Sequence, residues 1–405
     1  MSISITRSRS IAWTIWMIAS IFYAYQYILR VTPNILLGDI MEKFQFDAAT
    51  FGQFSGIYYI GYSLLHLPMG IMLDRFGPRK VMTGSILLTV LGLLPLLLAS
   101  HWSYPIAGRF LIGLGSSAAI LGVFKVIRMA FSEAHFARML SFSATIGLIG
   151  AIYGGGPLSH LRQVLGYDAL IEVLALAGLA LAAFTYWAVP NIQQTTNSTV
   201  FADVKEVLFN KKVLAVCIFA GLMVGPLEGF ADVWGSAFLR GVYGYEGAIA
   251  SSLPSLIFVG MCFGAPFLSL VAEKTKSYIG TIIGSAIAMA LLFALLCLGL
   301  LSSGTMSAGF IVVGVCSAYQ ILAITYASLC VRSELAGLTT ALANMIIMVF
   351  GYAFHTLIGT IVNAGGGAQN SSALTCGVSI IPLSLCLGAA GFILLSIRGK
   401  KSCSV

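Results

Sequence analysis

The chain has 405 residues, of which 59% are hydrophobic and only 9% charged, with a net charge of +8. Soluble domains carry about 25% charged residues, so this set of side chains does not coat a water-soluble surface. The basic excess is spread over short stretches between apolar segments. That distribution points to a lipid bilayer as the surrounding medium, with no nucleic-acid partner.

Apolar runs of roughly 20 residues recur throughout, and each can cross about 30 Å of hydrocarbon as a helix. They are continuous and not alternating, which selects helices over a closed barrel. The sequence predicts six spans at about 11–37, 50–73, 80–99, 103–128, 138–163 and 168–189. Six more follow at about 212–239, 249–272, 277–300, 305–330, 334–363 and 374–397. The first run follows Arg7 and Arg9 but is too long for a signal-peptide core and lacks a clear cleavage site. It therefore reads as a retained helix. The longest internal polar stretch, 190–212, separates six spans from six. The expected fold is an all-α polytopic membrane protein of twelve helices in two six-helix bundles. The domains run 1–189 and 212–405, joined by a loop at 190–211 and ending in a short tail.

The halves repeat faintly at an offset of about 199 residues. FQFDAATFGQFSGIYYIG (44–61) aligns with YGYEGAIASSLPSLIFVG (243–260), setting Asp47 against Glu246 and Gly61 against Gly260. The same offset sets Asp74 against Glu273 and Arg75 against Lys274. Repeats of this kind are related by an axis along the membrane normal, with a solute site between them.

Lys and Arg divide unevenly between the two sides. One side holds Arg7, Arg9, Arg75, Arg79, Lys80, Lys125, Arg128, Arg138, Lys205, Lys211, Lys212, Lys274, Lys276, Arg332, Arg398, Lys400 and Lys401. The other holds Lys43, Arg162 and Arg240. The positive-inside rule then places both termini and the central loop in the cytoplasm. The sequon at Asn197 falls on that side, so glycosylation there is not expected. The eight cysteines lie in the second half, mostly inside spans and without a C-x-x-C pair. They read as packing residues, and no metal or cofactor is expected.

Span 1 carries Tyr23, Gln26, Tyr27 and Arg30 at i, i+3, i+4 and i+7, on one helical face. A polar face inside a span lines a cavity rather than lipid. Pro33 and Asn34 suggest a bend beyond it. In span 4, Arg109 is an intramembrane cation that needs a partner, unless it snorkels to the interface. In span 7, Glu228 and Asp232 are i and i+4 on one face. The repeat sets Arg30 opposite Gly229, beside Glu228. One expectation is that Arg30 pairs with Glu228 or Asp232 until substrate or a proton breaks the pair. The alternatives are a static ion pair that sets packing, and an Asp232 that belongs with Arg240 to a loop. Tyr58, Tyr319, Gln320 and Asn344 complete the expected binding set. Tyr59, His66 and His355 are weaker candidates that read more readily as packing residues than as ligands.

Between spans 2 and 3 stands Gly70-Ile-Met-Leu-Asp74-Arg75-Phe-Gly77-Pro78-Arg79-Lys80. This resembles the signature loop of the major facilitator superfamily, G-x-x-x-D-[RK]-x-G-x-[RK]-[RK], with Pro78 at a position that is often basic. The second-half equivalent, Ala272-Glu273-Lys274-Thr275-Lys276, is eroded. The resemblance implies that Gly70, Asp74, Arg75, Gly77, Arg79 and Lys80 form a conformational switch. Asp74 would then dock at the start of span 11, near Arg332 to Leu338, where a helix dipole favours a carboxylate. Gly70 and Gly77 would let the turn pass close to neighbouring helices. Arg109-Phe-Leu-Ile-Gly113-Leu-Gly115 resembles the Arg and small-residue ridge of the family's span 4. Gly147, Gly150, Gly154, Gly155, Gly156 and Pro157 partly resemble the glycine-proline pattern of its antiporters and read as close packing and a bend. The text of spans 1 and 2 looks like branches of intracellular bacteria that import amino acids or nucleosides. In this family, spans 1 and 7 face each other across the central cavity.

The expected function is secondary active transport, coupled to protons, of an amino acid, short peptide or organic anion, by a monomer in a bacterial inner membrane. No G-x-x-x-x-G-K-[ST] signature is present, so the energy comes from a gradient. A drug or metabolite efflux antiporter is the alternative within that class. A solute sensor or a membrane-embedded enzyme is the alternative outside it. The five scattered histidines do not form a catalytic cluster in the sequence, so an enzyme is not expected.

Overall fold

A computed structural model describes residues 9–192 and 200–402. Arg7, Asn197 and Cys403 lie outside the described residues. Twelve helices are long and apolar enough to cross a membrane. Spans 1 to 6 are Ser10–Phe44, Ala48–Phe76, Pro78–Leu98, Ser103–Ala130, Glu133–Tyr153 and Tyr167–Ala188. Spans 7 to 12 are Lys211–Tyr243, Gly247–Thr275, Tyr278–Cys297, Ser303–Ser328, Ala336–Ala364 and Ser371–Ile397. Each overlaps its sequence-predicted counterpart, and no strand occurs among the described residues.

Four details depart from the sequence reading. Span 5 stops at Tyr153, and Pro157 opens a separate helix, Gly156–Leu165, where its missing N–H costs nothing. The central stretch contains a helix, Val200–Leu208, which buries Val207. Spans 4 and 10 are interrupted, at Ser117 and Ala318. Span 7 widens into a π-turn over Phe230–Trp234, closed by the Gly235 N–H on the Phe230 carbonyl.

The chain forms two compact units. One comprises the described residues of Met1–Gln45 and Ile57–Ser198, the other Phe46–Gly56 and the described residues of Thr199–Val405. Within each unit the helices pair by one scheme. Span 1 packs on spans 5 and 6, and span 3 on span 6. Likewise span 7 packs on spans 11 and 12, and span 9 on span 12. The offset read from the sequence recurs as geometry. A side chain at Gly61 would collide with the Phe110 carbonyl, and one at Gly113 with that of Tyr58. Gly260 meets the Ile311 carbonyl and Gly314 that of Ile257 in the same way. Spans 2 and 4, and spans 8 and 10, thus cross backbone to backbone, as small residues permit in membranes.

Bulky apolar side chains point outward, among them Leu91, Leu176, Phe184, Phe263, Leu291 and Leu387. Such exposure marks an aggregation hazard in water and a lipid-facing surface in a bilayer. Among the described residues every cysteine is free, and Cys217 is buried.

Candidate functional site

The polar centre of the first unit begins with a broken backbone bond. Pro33 has no N–H, so the Leu29 carbonyl one turn earlier lacks its helical donor. Arg109 of span 4 supplies one. Its Nη1 donates to the Leu29 carbonyl and its Nη2 to the Arg30 carbonyl, each at 2.5 Å. The guanidinium also lies 4.9 Å from the Tyr58 ring centre, and Arg109 is buried. Arg109 therefore does not snorkel. It is a two-pronged clamp on span 1, a role that needs the planar fork of Arg.

Arg30 sits where that clamp holds the backbone. It is 7% exposed, with its guanidinium 5.0 Å from the Tyr27 ring centre and 5.4 Å from that of Tyr59. Ring faces attract a desolvated cation, and two of them help to hold Arg30 in an apolar span. Tyr23 meets Tyr27 edge to face at 5.1 Å. Tyr58 donates to Gln26 Oε1 at 3.2 Å, whereas Gln26 Nε2 is buried and finds no acceptor among the described residues. The expected face Tyr23–Gln26–Tyr27–Arg30 is thus brought together with Tyr58 and Arg109. Tyr59, a weaker candidate from sequence, joins this centre, and so does Tyr62, which stacks on Tyr58 and meets His66 at a tilt. Their i, i+3, i+4 and i+7 spacing across Tyr59, Tyr62, Ser63 and His66 carried the signal.

The signature loop is held from two sides. Gly77 has φ +84°, and a side chain there would collide with Asn191. Pro78 then occupies the first turn of span 3, which explains proline where the family pattern is basic. Arg79 donates Nε to the Val189 carbonyl at 2.6 Å. Arg75 packs 5.7 Å from the Phe76 ring centre, and Lys80 is exposed. Gly70 departs from the expected close approach, because a Cβ there would meet nothing within 4 Å. Asp74 bonds Lys125 Nζ at 2.6 Å. Lys125, counted in the sequence among the cations of the cytoplasmic side, is a buried residue of span 4. Arg332, read as part of the dock for Asp74, makes a two-point ion pair with Glu206 of the Val200–Leu208 helix, at 3.1 and 2.7 Å. That ion pair raises the Arg332 pKa.

In the second unit, Glu228 and Asp232 are both buried, at 8% and 1% exposure. Asp232 lies inside the π-turn and so belongs to span 7, not to a loop. Insertions of this type recur at functional sites. Tyr319 is fully buried, with its hydroxyl donating to the Ala220 carbonyl at 3.0 Å. Gln320 Nε2 donates to Asn344 Oδ1 at 3.3 Å, bridging spans 10 and 11. His355 holds its ring nitrogen on the Gly351 carbonyl at 2.7 Å. No group of three or more metal-ligating side chains occurs among the described residues.

The chain is similar to several transporters. A putative metabolite transport protein of Pseudomonas putida, NicT, is 26% identical over 45% of this chain and 43% of its own length. The multidrug transporter MdfA of Yersinia pestis is 26% identical over 42% of this chain and 43% of its own. The chain thus spans less than half the length of the curated relatives it matches. The crystal structure of the nucleoside transporter NupG superposes with a TM-score of 0.75 at 15% identity, over 94% of this chain and 98% of that one. At that identity the likeness shows the fold. The Major Facilitator Superfamily profile matches residues 15–355, most of the chain. On that match, with twelve spans in two like-built units, the chain is a multi-pass membrane protein that belongs to the Major Facilitator Superfamily.

Proposed function

We propose that the protein is a proton-coupled secondary active transporter that moves a small polar solute by alternating access. Arg30 carries this reading: a buried cation clamped at its backbone and held over two aromatic rings, inside an otherwise apolar span. An intramembrane charge is expensive to keep and marks a solute or ion path. Tyr23, Gln26, Tyr27, Tyr58, Tyr319, Gln320 and Asn344 contribute to the solute path. Arg109 acts by positioning Arg30. Glu228 and Asp232 are the proton carriers, because they are buried carboxylates on one membrane span. Halves 1–189 and 212–405 are the bodies that alternate, with 190–211 as their linker. Asp74 and its signature loop are the switch. The Lys and Arg bias places both termini in the cytoplasm of a bacterial cell, with the monomer spanning the inner membrane.

The test is transport in proteoliposomes. Glu228→Gln and Asp232→Asn are each expected to lose accumulation driven by a pH gradient while keeping solute exchange without one. Full gradient-driven accumulation in both variants would refute proton coupling through these acids. Efflux of a lipophilic compound is the second reading, supported by the likeness to MdfA. Accumulation of solute in everted but not right-side-out vesicles would favour it.

A further inference from the structure

We infer that the helix Val200–Leu208 is a salt-sensitive strap that seats the start of span 11 against the start of span 7, with Glu206 as its positioning residue. The inference concerns the second unit alone and stands without the transport reading. The strap is built outward from span 7. The Asn210 side chain accepts the Lys212 and Val213 N–H groups at 3.0 and 3.2 Å and so caps that span. The Leu214 N–H bonds the Asn210 carbonyl, and the Phe209 N–H bonds that of Lys205, so hydrogen-bonded backbone joins helix to span. Val204, Val207 and Leu208 share one face at i, i+3 and i+4; Val207 is buried and the other two half-buried, where the helix packs on spans 7 and 11.

From this base two side chains reach the turn between spans 10 and 11. Asn210 Nδ2 donates to the Cys330 carbonyl at 3.2 Å. One helical turn earlier, Glu206 takes both Nε and Nη2 of Arg332, at 3.1 and 2.7 Å. The Arg332 carbonyl in turn accepts the Leu335 N–H at 2.9 Å, in the short turn Ser333–Leu335 that opens span 11. These contacts join residues 120 and 126 apart in the chain. In the first unit the matching turn is shaped by near neighbours, with Ser132 meeting His135 at 2.7 Å.

Magnitudes separate position from stability. The Arg332 and Glu206 side chains are 62% and 48% exposed, and an exposed ion pair adds little stability and is screened by salt. Its two-point fork still fixes direction as well as distance. Glu334 and Asp203 also act on the Arg332 charge, after Glu206, so the turn is held by a local field that ions weaken. What it holds is one end of a smooth seam. Gly221 and Gly225 of span 7 face Phe350 and Phe354 of span 11, and Trp234 Nε1 donates to the His355 carbonyl at 3.3 Å farther along. The strap supplies a second fixed point, at the opposite end of span 11. Its release frees the first turn of span 11 to shift against the span that carries Glu228 and Asp232.

The experiment is hydrogen exchange on the purified full chain in uncharged phosphatidylcholine nanodiscs, at about 50 and about 500 mM KCl, which bracket a Debye length of about 10 Å. In the wild-type protein, exchange over Leu329–Leu338 should quicken roughly twofold to fivefold at the higher salt. Glu206→Lys should exchange fast there at both concentrations, with its melting temperature nearly unchanged. Adding Arg332→Glu to that variant should restore both the protection and the salt dependence. Lys205→Gln, a charge change on the neighbouring exposed residue, should behave as the wild type. Equal exchange in wild type and Glu206→Lys at low salt overturns the strap, as does a double variant no better protected than Glu206→Lys. A salt effect that survives in Glu206→Lys overturns it too, because the effect then arises elsewhere. Faster exchange across all of spans 7 to 12 with a lower melting temperature would make the pair a general folding contact and end the positioning role.

Discussion

The two units meet the same difficulty, a proline inside the first span of each half, and resolve it with different chemistry. In the first, Pro33 frees the Leu29 carbonyl and Arg109 takes it. In the second, Pro226 frees the Leu222 carbonyl and the Ser384 hydroxyl takes it at 2.5 Å. A neutral hydroxyl therefore suffices to satisfy such a carbonyl between helices. The charge of Arg109 exceeds that structural need, and it stands beside Arg30, a second buried cation, on span 1. A shared architecture thus separates what the fold demands from what one half adds.

The largest effect expected from this contrast is at Arg109. Arg109→Leu strands the Leu29 carbonyl and removes the bond to that of Arg30 in an apolar setting, and should cost about 2–3 kcal/mol, with transport lost. Arg109→Lys cannot reach both carbonyls and should be only partly better. Ser384→Ala should cost about 1 kcal/mol and leave transport largely intact. Unfolding of the purified variants in detergent compares them, and equal losses at the two positions would end the distinction.

Next come the glycine crossings, where the units should behave alike. Gly113→Val and Gly314→Val each drive a side chain into a carbonyl of the partner span and should cost roughly 2–3 kcal/mol. Gly70→Ala faces open space and should be neutral or stabilising by up to about 1 kcal/mol. Melting temperatures that fall for only one of the two crossings would show that the repeat is not energetic.

The turns after spans 2 and 8 differ again. Gly77 and its equivalent Lys276 both have positive φ, at +84° and +50°. The second half keeps the turn without the residue that suits it, at a cost of about 1 kcal/mol. Lys276→Gly should recover part of that, whereas Gly77→Lys should disrupt the turn against Asn191. Asp74→Asn breaks the bond to Lys125 and should lower turnover more than solute affinity, while Glu273→Gln should change neither. An Asp74→Asn variant with unchanged turnover would remove the switch from the first-half loop.

The smallest effect is at the helix caps. Asp47 accepts the Thr50 N–H at 2.7 Å and the Asn363 amide at 3.1 Å, whereas its equivalent Glu246 makes no capping bond. The Thr50 N–H is the largest cause of a depressed Asp47 pKa. Asp47 therefore stabilises the folded state above the ordinary carboxylate pKa of about 3.9, and that contribution is lost as the pH falls through its lower folded value. Asp47→Asn should remove this acid dependence and Glu246→Gln should not, read from melting temperature against pH.

The twelve spans, the division six and six, and the family are legible in the residues alone, because apolar run length and the Gly70–Lys80 motif are local properties of the chain. The shared face of Tyr23, Gln26, Tyr27 and Arg30 is legible there too, since helical spacing alone aligns them. Tertiary structure decided the rest. Nothing local says that Arg109 reaches the carbonyl that Pro33 leaves open, because the two lie on different spans. Lys125 reads as one more cation of the cytoplasmic side until the fold buries it against Asp74. The π-turn at Asp232 is invisible to a periodicity of 3.6, since one extra residue per turn leaves no mark on composition. Tyr62 is silent in the sequence for a related reason: a tyrosine in an apolar helix is ordinary alone, and gains meaning only from the rings packed around it.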